Sequence, residues 1–316
     1  MTSFFLSLLI KGWSLIFSIF LAIASPLPSF GEAIKPTDAD SLLLNFTVLA
    51  DTHIETIEMF RFEYLRNAVA DVNRASVKSN ALVLVGDNTM NGQFLENLML
   101  YGILSHYAAP ENVLVAMGNH DINPSVNTLE KAVNRHNAFY NALTGSKNDK
   151  PYYYREIGGY FFIVLGSENT RDDTEAYISP AQIQWLDETL ARASKSGKPI
   201  FLFNHQPFSD KVHTPEGDGE YWWNLDGMGE SSDDVFDVVK QYDNVIFFYG
   251  HIHAPLFLLN VCETEGVTLV NVPPFTAHVG GNGFYAELYA DRVILRARAF
   301  AFGEWDAECV YTIDLT

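Results

Sequence analysis

The chain has 316 residues, of which 48% are hydrophobic and 19% are charged. That is enough apolar material for a buried core, and it excludes a wholly disordered chain. The formal net charge of −19 excludes a general attraction for nucleic acid or anionic lipid, so an anionic substrate needs a local positive charge such as a metal ion.

Residues 1–31 differ from the rest and predict either a signal peptide or an N-terminal membrane anchor. Residues 4–24 are almost wholly apolar, with small side chains at Ala22 and Ala24 where a signal peptidase would cleave. A second candidate cleavage site ends at Gly31. The apolar run is also just long enough to span a bilayer without being cleaved, so both interpretations stay open. Either one predicts an exported protein, periplasmic or extracellular, and a membrane tether if the segment is retained.

Residues 42–316 have the pattern of one α/β domain with a β-rich C-terminal half. Short continuous apolar runs predict buried strands, and longer amphipathic runs between them predict helices. Ser179 followed by Pro180 is typical of a helix N-terminus, and Gly158-Gly159 between two apolar runs is typical of a hairpin. The predicted strands cover 43–50, 81–85, 113–117, 152–157, 160–165, 199–203, 245–249, 267–272, 283–290, 293–300 and 309–315, and the predicted helices cover 58–77, 93–106, 128–143, 179–194 and 233–241.

Residues 209–234 form the one long irregular stretch of this pattern. A loop of this length in a compact domain is more often functional than idle. Its aromatic run would either stack on a base or sugar of a ligand or cover the core from outside. The aromatic residues are Tyr221, Trp222 and Trp223.

The chain contains only two cysteines, which are too few for a disulfide scaffold or a cysteine-rich zinc module. Cys262 and Cys309 both lie in strand-like segments near the C-terminus. An oxidising compartment would let them pair, and we expect this disulfide. The alternative is two buried thiols that pack as small hydrophobic side chains.

Side chains that can bind metals follow five of the buried strands at the point where each strand ends. The carboxyl ends of strands are where open α/β sheets build their sites. Each cluster alone is a weak signal, but five in succession predict one convergent site. The other four histidines, at 106, 136, 213 and 278, are expected at the surface or in packing. The clusters are Asp51-Thr52-His53, Gly86-Asp87-Asn88, Gly118-Asn119-His120-Asp121, Asn204-His205 and Gly250-His251-Ile252-His253.

The residue types in these clusters favour one kind of metal chemistry. Imidazole nitrogens with carboxylate and amide oxygens, and no thiolates, suit divalent Mn, Fe or Zn. The clusters offer more ligands than one ion takes. Two ions about 3.5–4 Å apart that share a carboxylate would use them all. The sequence therefore predicts a dinuclear centre whose metal identity is open.

In this order the five motifs resemble those of the calcineurin-like metallophosphoesterases, over about residues 45–255. The resemblance implies a four-layer α-β-β-α sandwich, in which helices flank two mixed sheets and the metals lie at the strand C-termini. It assigns one metal to Asp51, His53 and His253, the other to Asn119, His205 and His251, and the bridging position to Asp87.

The activity implied by the resemblance is hydrolysis of a small phosphodiester or phosphomonoester, as a metal-dependent phosphoric ester hydrolase. A metal-bound hydroxide would attack phosphorus directly, so no nucleophilic side chain is required. His120 would lie near the leaving oxygen and act as general acid or stabilise the transition state. Asp121 would orient His120 or pack in the turn.

One departure from the family pattern concerns the orientation of His120. Many relatives continue the second motif as Gly-Asp-x-x-Asp, and the last Asp is the partner of the catalytic histidine. Met90 stands at that position, followed by Asn91. Another group must therefore orient His120. Purple acid phosphatases have a Tyr where Met90 stands and no His in the first motif, and this chain differs from them at both points. It resembles instead the broad bacterial phosphodiesterase-like branch.

Two other functions compete with hydrolysis of phosphate esters. One is an inactive member of the fold that binds metal as a scaffold, and the other is a metal-dependent hydrolase of non-phosphate esters. All seven predicted metal ligands, from Asp51 to His253, are intact, which argues against the scaffold. The sequence leaves the substrate and the oligomeric state open.

Overall fold

A computed structural model of the chain describes Gly12 and residues 27–107, 110–169, 174–212, 227–256, 260–276 and 280–316. Most of the predicted signal or anchor segment lies outside these residues. So do His213, His278 and the aromatic run at 221–223. Among the described residues no helix is long and apolar enough to cross a membrane.

The described strands form two six-stranded mixed sheets. The first sheet has the order β12-β11-β10-β1-β2-β3 and the second the order β4-β5-β6-β7-β9-β8. The strands are β1 (Leu44–Leu49), β2 (Ala81–Val85), β3 (Asn112–Ala116), β4 (Tyr153–Ile157), β5 (Tyr160–Val164), β6 (Ile200–Phe203), β7 (Val245–Tyr249), β8 (Val261–Thr264), β9 (Val267–Asn271), β10 (Asn282–Leu288), β11 (Arg292–Ala299) and β12 (Glu304–Asp314).

Helices connect and flank the strands, and two of them begin with the capping residues that the sequence offers. The Thr128 side chain accepts a hydrogen bond from the backbone N–H of Lys131, and the Ser179 side chain accepts one from Gln182. The α-helices of the described residues are α1 (Met59–Asn73), α2 (Phe94–His106), α3 (Asn119–Ile122), α4 (Leu129–Thr144), α5 (Pro180–Ala193) and α6 (Ser232–Val239).

Aromatic rings join the two sheets face to face. Phe46 on β1 lies 5.0 Å from Phe162 on β5 and 4.8 Å from Phe201 on β6, between ring centroids. Leu186 and Phe236, from α5 and α6, pack on the other face of the second sheet in a separate apolar cluster. Two mixed sheets flanked by helices are the fold class that the resemblance implies, and they agree with the α/β pattern of the sequence.

The C-terminal strands belong to the same sheet as the N-terminal ones. β1 pairs antiparallel with β10 and parallel with β2, so it lies in the middle of the first sheet. β8 was not among the predicted strands because it is short, partly exposed and at the edge of its sheet. Parallel β1, β2 and β3 place the ends of all three strands at one edge.

The predicted disulfide between Cys262 and Cys309 is wrong, because the two cysteines are not bonded to each other. Cys262 lies on β8 and packs with the apolar cluster on the helix-covered face of the second sheet. Cys309 lies on β12 and is buried in the other main cluster, which includes the first sheet. The two thiols therefore face different parts of the core. Each packs separately as a small hydrophobic side chain, which is the alternative that the sequence left open.

Candidate metal centre

The backbone at the predicted metal ligands is in an unusual conformation. A positive φ in a non-glycine residue costs about 1–3 kcal/mol and persists where the surrounding structure imposes it. Nine described non-glycine residues have one, and five of the nine are predicted metal ligands. The backbone strain is thus concentrated where the strands end. The five ligands are Asp51 (φ 57°), His53 (φ 43°), Asp87 (φ 46°), His251 (φ 70°) and His253 (φ 49°).

Glycines beside the ligands allow these loops to approach each other closely. A Cβ atom at Gly86 would lie 2.5 Å from the Cβ of His205, and one at Gly250 would lie 2.7 Å from Oδ2 of Asp51. A Cβ at Gly118 would overlap Asp87. A side chain at any of the three positions would displace a predicted ligand.

The first predicted ligand set converges at the end of β1. Nε2 of His253 lies 3.1 Å from Oδ1 of Asp51 and 3.3 Å from Nε2 of His53. One ligand atom from each of the three side chains falls within 4.8 Å of the others. The structure thus brings together the residues assigned to one metal.

The second set converges beside the first. Nε2 of His205 lies 3.0 Å from Oδ2 of Asp87, and Nδ1 of His251 lies 3.1 Å from Oδ1 of Asn119. Asp87 forms a metal-ligating group with His205 and His251, and it also forms one with His53 and His120. It therefore lies between the two sets, as a bridging ligand must.

The chemistry of the donor atoms fits divalent cations. Nδ1 of His205 must donate its hydrogen to the carbonyl of Val85, 2.8 Å away, because a carbonyl only accepts. This leaves the lone pair of Nε2 facing the carboxylate of Asp87. Among the described residues, Nε2 of His205 and Oδ2 of Asp51 are buried without a hydrogen-bond partner. Nε2 of His205 lies 3.0 Å from Oδ2 of Asp87, and two acceptors this close need a cation between them. A backbone carbonyl behind a metal-binding histidine is the usual arrangement.

The pKa values follow from burial and from the packing of unlike charges. Burial alone would raise the pKa of Asp87 and of Asp51, but the neighbouring histidines outweigh it and hold both below their usual range. Burial alone would lower the pKa of His205, but Asp87 and Asp51 raise it to about 9. Burial lowers the pKa of His53 and of His251 to about 4. The ionised carboxylates and the neutral rings of His53 and His251 are in the states that bind a divalent ion, whereas His205 must first lose its proton.

His120 lies next to the first ligand set. Its ring centroid is 4.8 Å from that of His53, and its backbone N–H donates to Oδ1 of Asp87 at 2.8 Å. Nδ1 of His120 donates to the backbone carbonyl of Met90 at 2.9 Å. The residue that replaces the family's Asp thus orients the histidine through its backbone. Sequence reasoning missed this partner because a backbone carbonyl has no signature in the residue type.

Asp121 joins two of the metal-binding loops. Its two carboxylate oxygens accept hydrogen bonds from the backbone N–H groups of Gly118, Asn88 and Thr89, at 2.8–3.1 Å, and from the Thr89 hydroxyl at 2.7 Å. Burial, followed by the charge of Asp87, raises its pKa. These contacts favour the turn-packing role among the two that the sequence leaves open.

A family model described as calcineurin-like phosphoesterase matches residues 44–255. The chain belongs to the calcineurin-like phosphoesterase family. Members are phosphoester hydrolases, and the candidate ligand groups suggest a dinuclear divalent metal site in this phosphoesterase. A search of curated proteins found no significant match.

Solved structures resemble this phosphoesterase over most of its length. A dimetal phosphatase from Danio rerio is 16% identical, with a TM-score of 0.65, covering 87% of this chain and 100% of the other. A predicted phosphoesterase from Streptococcus pneumoniae is 12% identical, with a TM-score of 0.40, covering 86% and 97%. At 16% identity the likeness to the Danio rerio structure shows a shared fold.

Proposed function

We propose that this calcineurin-like phosphoesterase is an exported enzyme that hydrolyses a small phosphodiester or phosphomonoester with two divalent metal ions. One observation carries the proposal: Asp87 lies between the two predicted ligand sets, with Oδ2 3.0 Å from Nε2 of His205 and 4.0 Å from Nε2 of His53. Buried carboxylates and imidazoles at this spacing are costly unless a cation lies between them.

The residues of the chain have separate roles in this mechanism. The predicted ligands would hold two divalent ions, which would supply a more acidic water molecule and positive charge for the phosphoryl oxygens. Asp51 and Asp87 hold the site at the carboxyl edge of the first sheet, where neutral His53 and His251 complete it. Because Nδ1 of His120 is committed to Met90, Nε2 is the atom that gives a proton to the leaving oxygen.

Metal-dependent turnover of two chromogenic substrates tests the proposal. The full chain is assayed with bis(p-nitrophenyl) phosphate and p-nitrophenyl phosphate, with added Mn²⁺ or Zn²⁺ and with a chelator. Asp87→Asn is compared with Asp38→Asn, a surface carboxylate outside the site, and bound metal is counted by elemental analysis. We expect two metals per chain and turnover that chelator and Asp87→Asn abolish but Asp38→Asn keeps.

Other outcomes would favour the competing functions. Two bound metals without turnover of either phosphate ester would indicate a binding role. Turnover of p-nitrophenyl acetate alone, lost in Asp87→Asn, would indicate a hydrolase of non-phosphate esters. No bound metal would contradict the assignment of the site. The faster of the two phosphate substrates would decide between a diesterase and a monoesterase.

Export is proposed from the apolar N-terminal residues 4–24 alone. Fractionation of cells that express the chain, followed by mass measurement of the mature protein, tests it. A protein that stays inside the cell with an intact N-terminus and no membrane association would contradict it.

A further inference from the structure

The described residues that precede β1, 27–43, are here called the N-terminal segment. This segment begins beside the loop that follows β11. Phe30 lies against Gly303, where a Cβ atom would come within 3.1 Å of the phenylalanine Cβ. The segment then runs along the first sheet, and the backbone N–H of Thr37 donates to Glu287 at 2.7 Å. Glu287 pairs with Asn45 at the start of β1. The segment therefore runs antiparallel to β1 before the chain turns into that strand.

This path places the beginning of the segment at the same edge of the sheet as the metal ligands. β10 is antiparallel to β1, so its first residues lie beside the end of β1, with Phe284 opposite Val48. β11 ends at Ala299, opposite Asn282 at the start of β10. Gly303 follows a few residues later. The described chain thus resumes, at residue 27, at the edge where β1 ends in Asp51.

An exposed row of apolar side chains, here called the apolar rim, lies at the same edge. Ile57 is 84% exposed, Phe60 40% and Phe302 38%. Tyr64 connects the row, with its ring centroid 5.5 Å from Phe60 and 5.3 Å from Phe302. Met59 completes it at 37% exposure. A contiguous exposed patch of this kind is a mark of an interaction surface.

The apolar rim borders the metal centre through one arginine. Arg61, next to Phe60 in α1, donates from Nη1 to Oγ1 of Thr276 at 3.3 Å. The Thr276 hydroxyl donates to the backbone carbonyl of Asp51 at 3.0 Å. A surface that covers the rim would therefore lie directly beside the metal ligands.

We propose that the apolar rim rests on a zwitterionic lipid bilayer to which residues 1–26 tether the chain, so that the metal centre opens toward the membrane surface. Aromatic side chains favour the membrane–water interface, and the tether begins at the edge that carries them. Arg61 forms two ion pairs that neutralise its charge. Its Nε lies 3.3 Å from Oε1 of Glu55, and its Nη2 lies 2.7 Å from Oε2 of Glu58. With a net charge of −19, the chain gains nothing from anionic lipid. The proposal rests on the retention of residues 1–26 as an anchor, one of the two interpretations that the sequence leaves open, and not on catalysis.

Fluorescence quenching by lipid tests this orientation. The full chain is reconstituted into phosphatidylcholine vesicles, with and without bromine on the acyl chains, as single Trp replacements: Phe302→Trp, Phe60→Trp and the control Leu43→Trp. Leu43 is 53% exposed but precedes β1, at the opposite edge from the metal ligands. Emission is measured relative to the parent chain, which carries the same five native tryptophans.

We expect brominated lipid to remove about half of the emission added at positions 302 and 60, and almost none of that added at 43. Equal quenching at all three positions, no quenching at any, or failure of the chain to float with the vesicles would overturn the proposal. Quenching of the same pattern in Asp87→Asn would separate membrane contact from catalysis. Quenching at the rim in a chain with an intact metal site that hydrolyses neither phosphate ester would refute the phosphoesterase function alone.

Discussion

Nε2 of His205 lies 3.0 Å from Oδ2 of Asp87, and both side chains are buried. Because Nδ1 of the same ring is held by the carbonyl of Val85, only a cation at Nε2 makes this contact favourable. In the metal-free protein the cation is a proton, since the two nearby carboxylates raise the pKa of His205 to about 9. Metal and proton therefore compete for one nitrogen.

The first prediction is that metal binding releases this proton. Below a pKa of about 9 the free protein carries the proton on His205, and the bound metal requires the neutral ring. Calorimetric titration with Mn²⁺ at pH 7.5, in buffers of different ionisation enthalpy, should show about one proton released per site that contains His205. The number of protons released per site should fall as the pH rises through 9. A binding enthalpy independent of the buffer at pH 7.5 would contradict the prediction.

Removal of His120 should lower kcat by an amount that depends on the basicity of the leaving oxygen. His120→Ala leaves the seven predicted ligands in place, so the metal content should stay at two per chain. The loss of a general acid lowers kcat by about 10²–10⁴-fold, and the loss is largest where the leaving oxygen is most basic. We expect a much smaller loss for p-nitrophenyl esters than for alkyl esters of the same phosphate. Equal losses for both would assign His120 to charge stabilisation instead.

Asp121 should act mainly by holding the loops together. Asp121→Asn places an amide N–H₂ opposite backbone donors of Thr89 or Gly118, so one buried donor loses its acceptor. We expect the free energy of unfolding to fall by about 2–3 kcal/mol and the metal affinity to weaken, with kcat recovered at saturating metal. Urea denaturation and metal titration of this variant beside Asp38→Asn measure both. A lower kcat at full metal occupancy, with unchanged stability, would make Asp121 a catalytic residue.

The strands and the ligand clusters were predictable because their signals are local. An apolar run such as the one that became β1 predicts a buried strand, and the parallel order that brings Asp51 and Asp87 together follows from the α/β pattern. The direction in which Cys262 faces was not predictable, because it depends on the register of β8 with β9. The contact of His120 with Met90 was not predictable either, since the backbone carbonyl acts whatever the side chain. Local residue types thus predicted which side chains the site contains. Contacts between segments that are distant in the sequence decide how those side chains are oriented.

His136 should make the protein less stable in acid, although it lies in packing and not in the site. It is buried on α4, with Nδ1 3.3 Å from the hydroxyl of Tyr101, and burial lowers its pKa from 6.5 to about 4. Below pH 6.5 the unfolded chain therefore binds a proton that the folded chain takes up only near pH 4, so stability falls over this window. At pH 5 the loss is about 2 kcal/mol relative to pH 7.5, and His136→Gln should remove that part of the pH dependence. Urea denaturation at both pH values, with chelator and beside the exposed control His106→Gln, measures it. The prediction fails if His136→Gln and the parent lose the same stability between the two pH values.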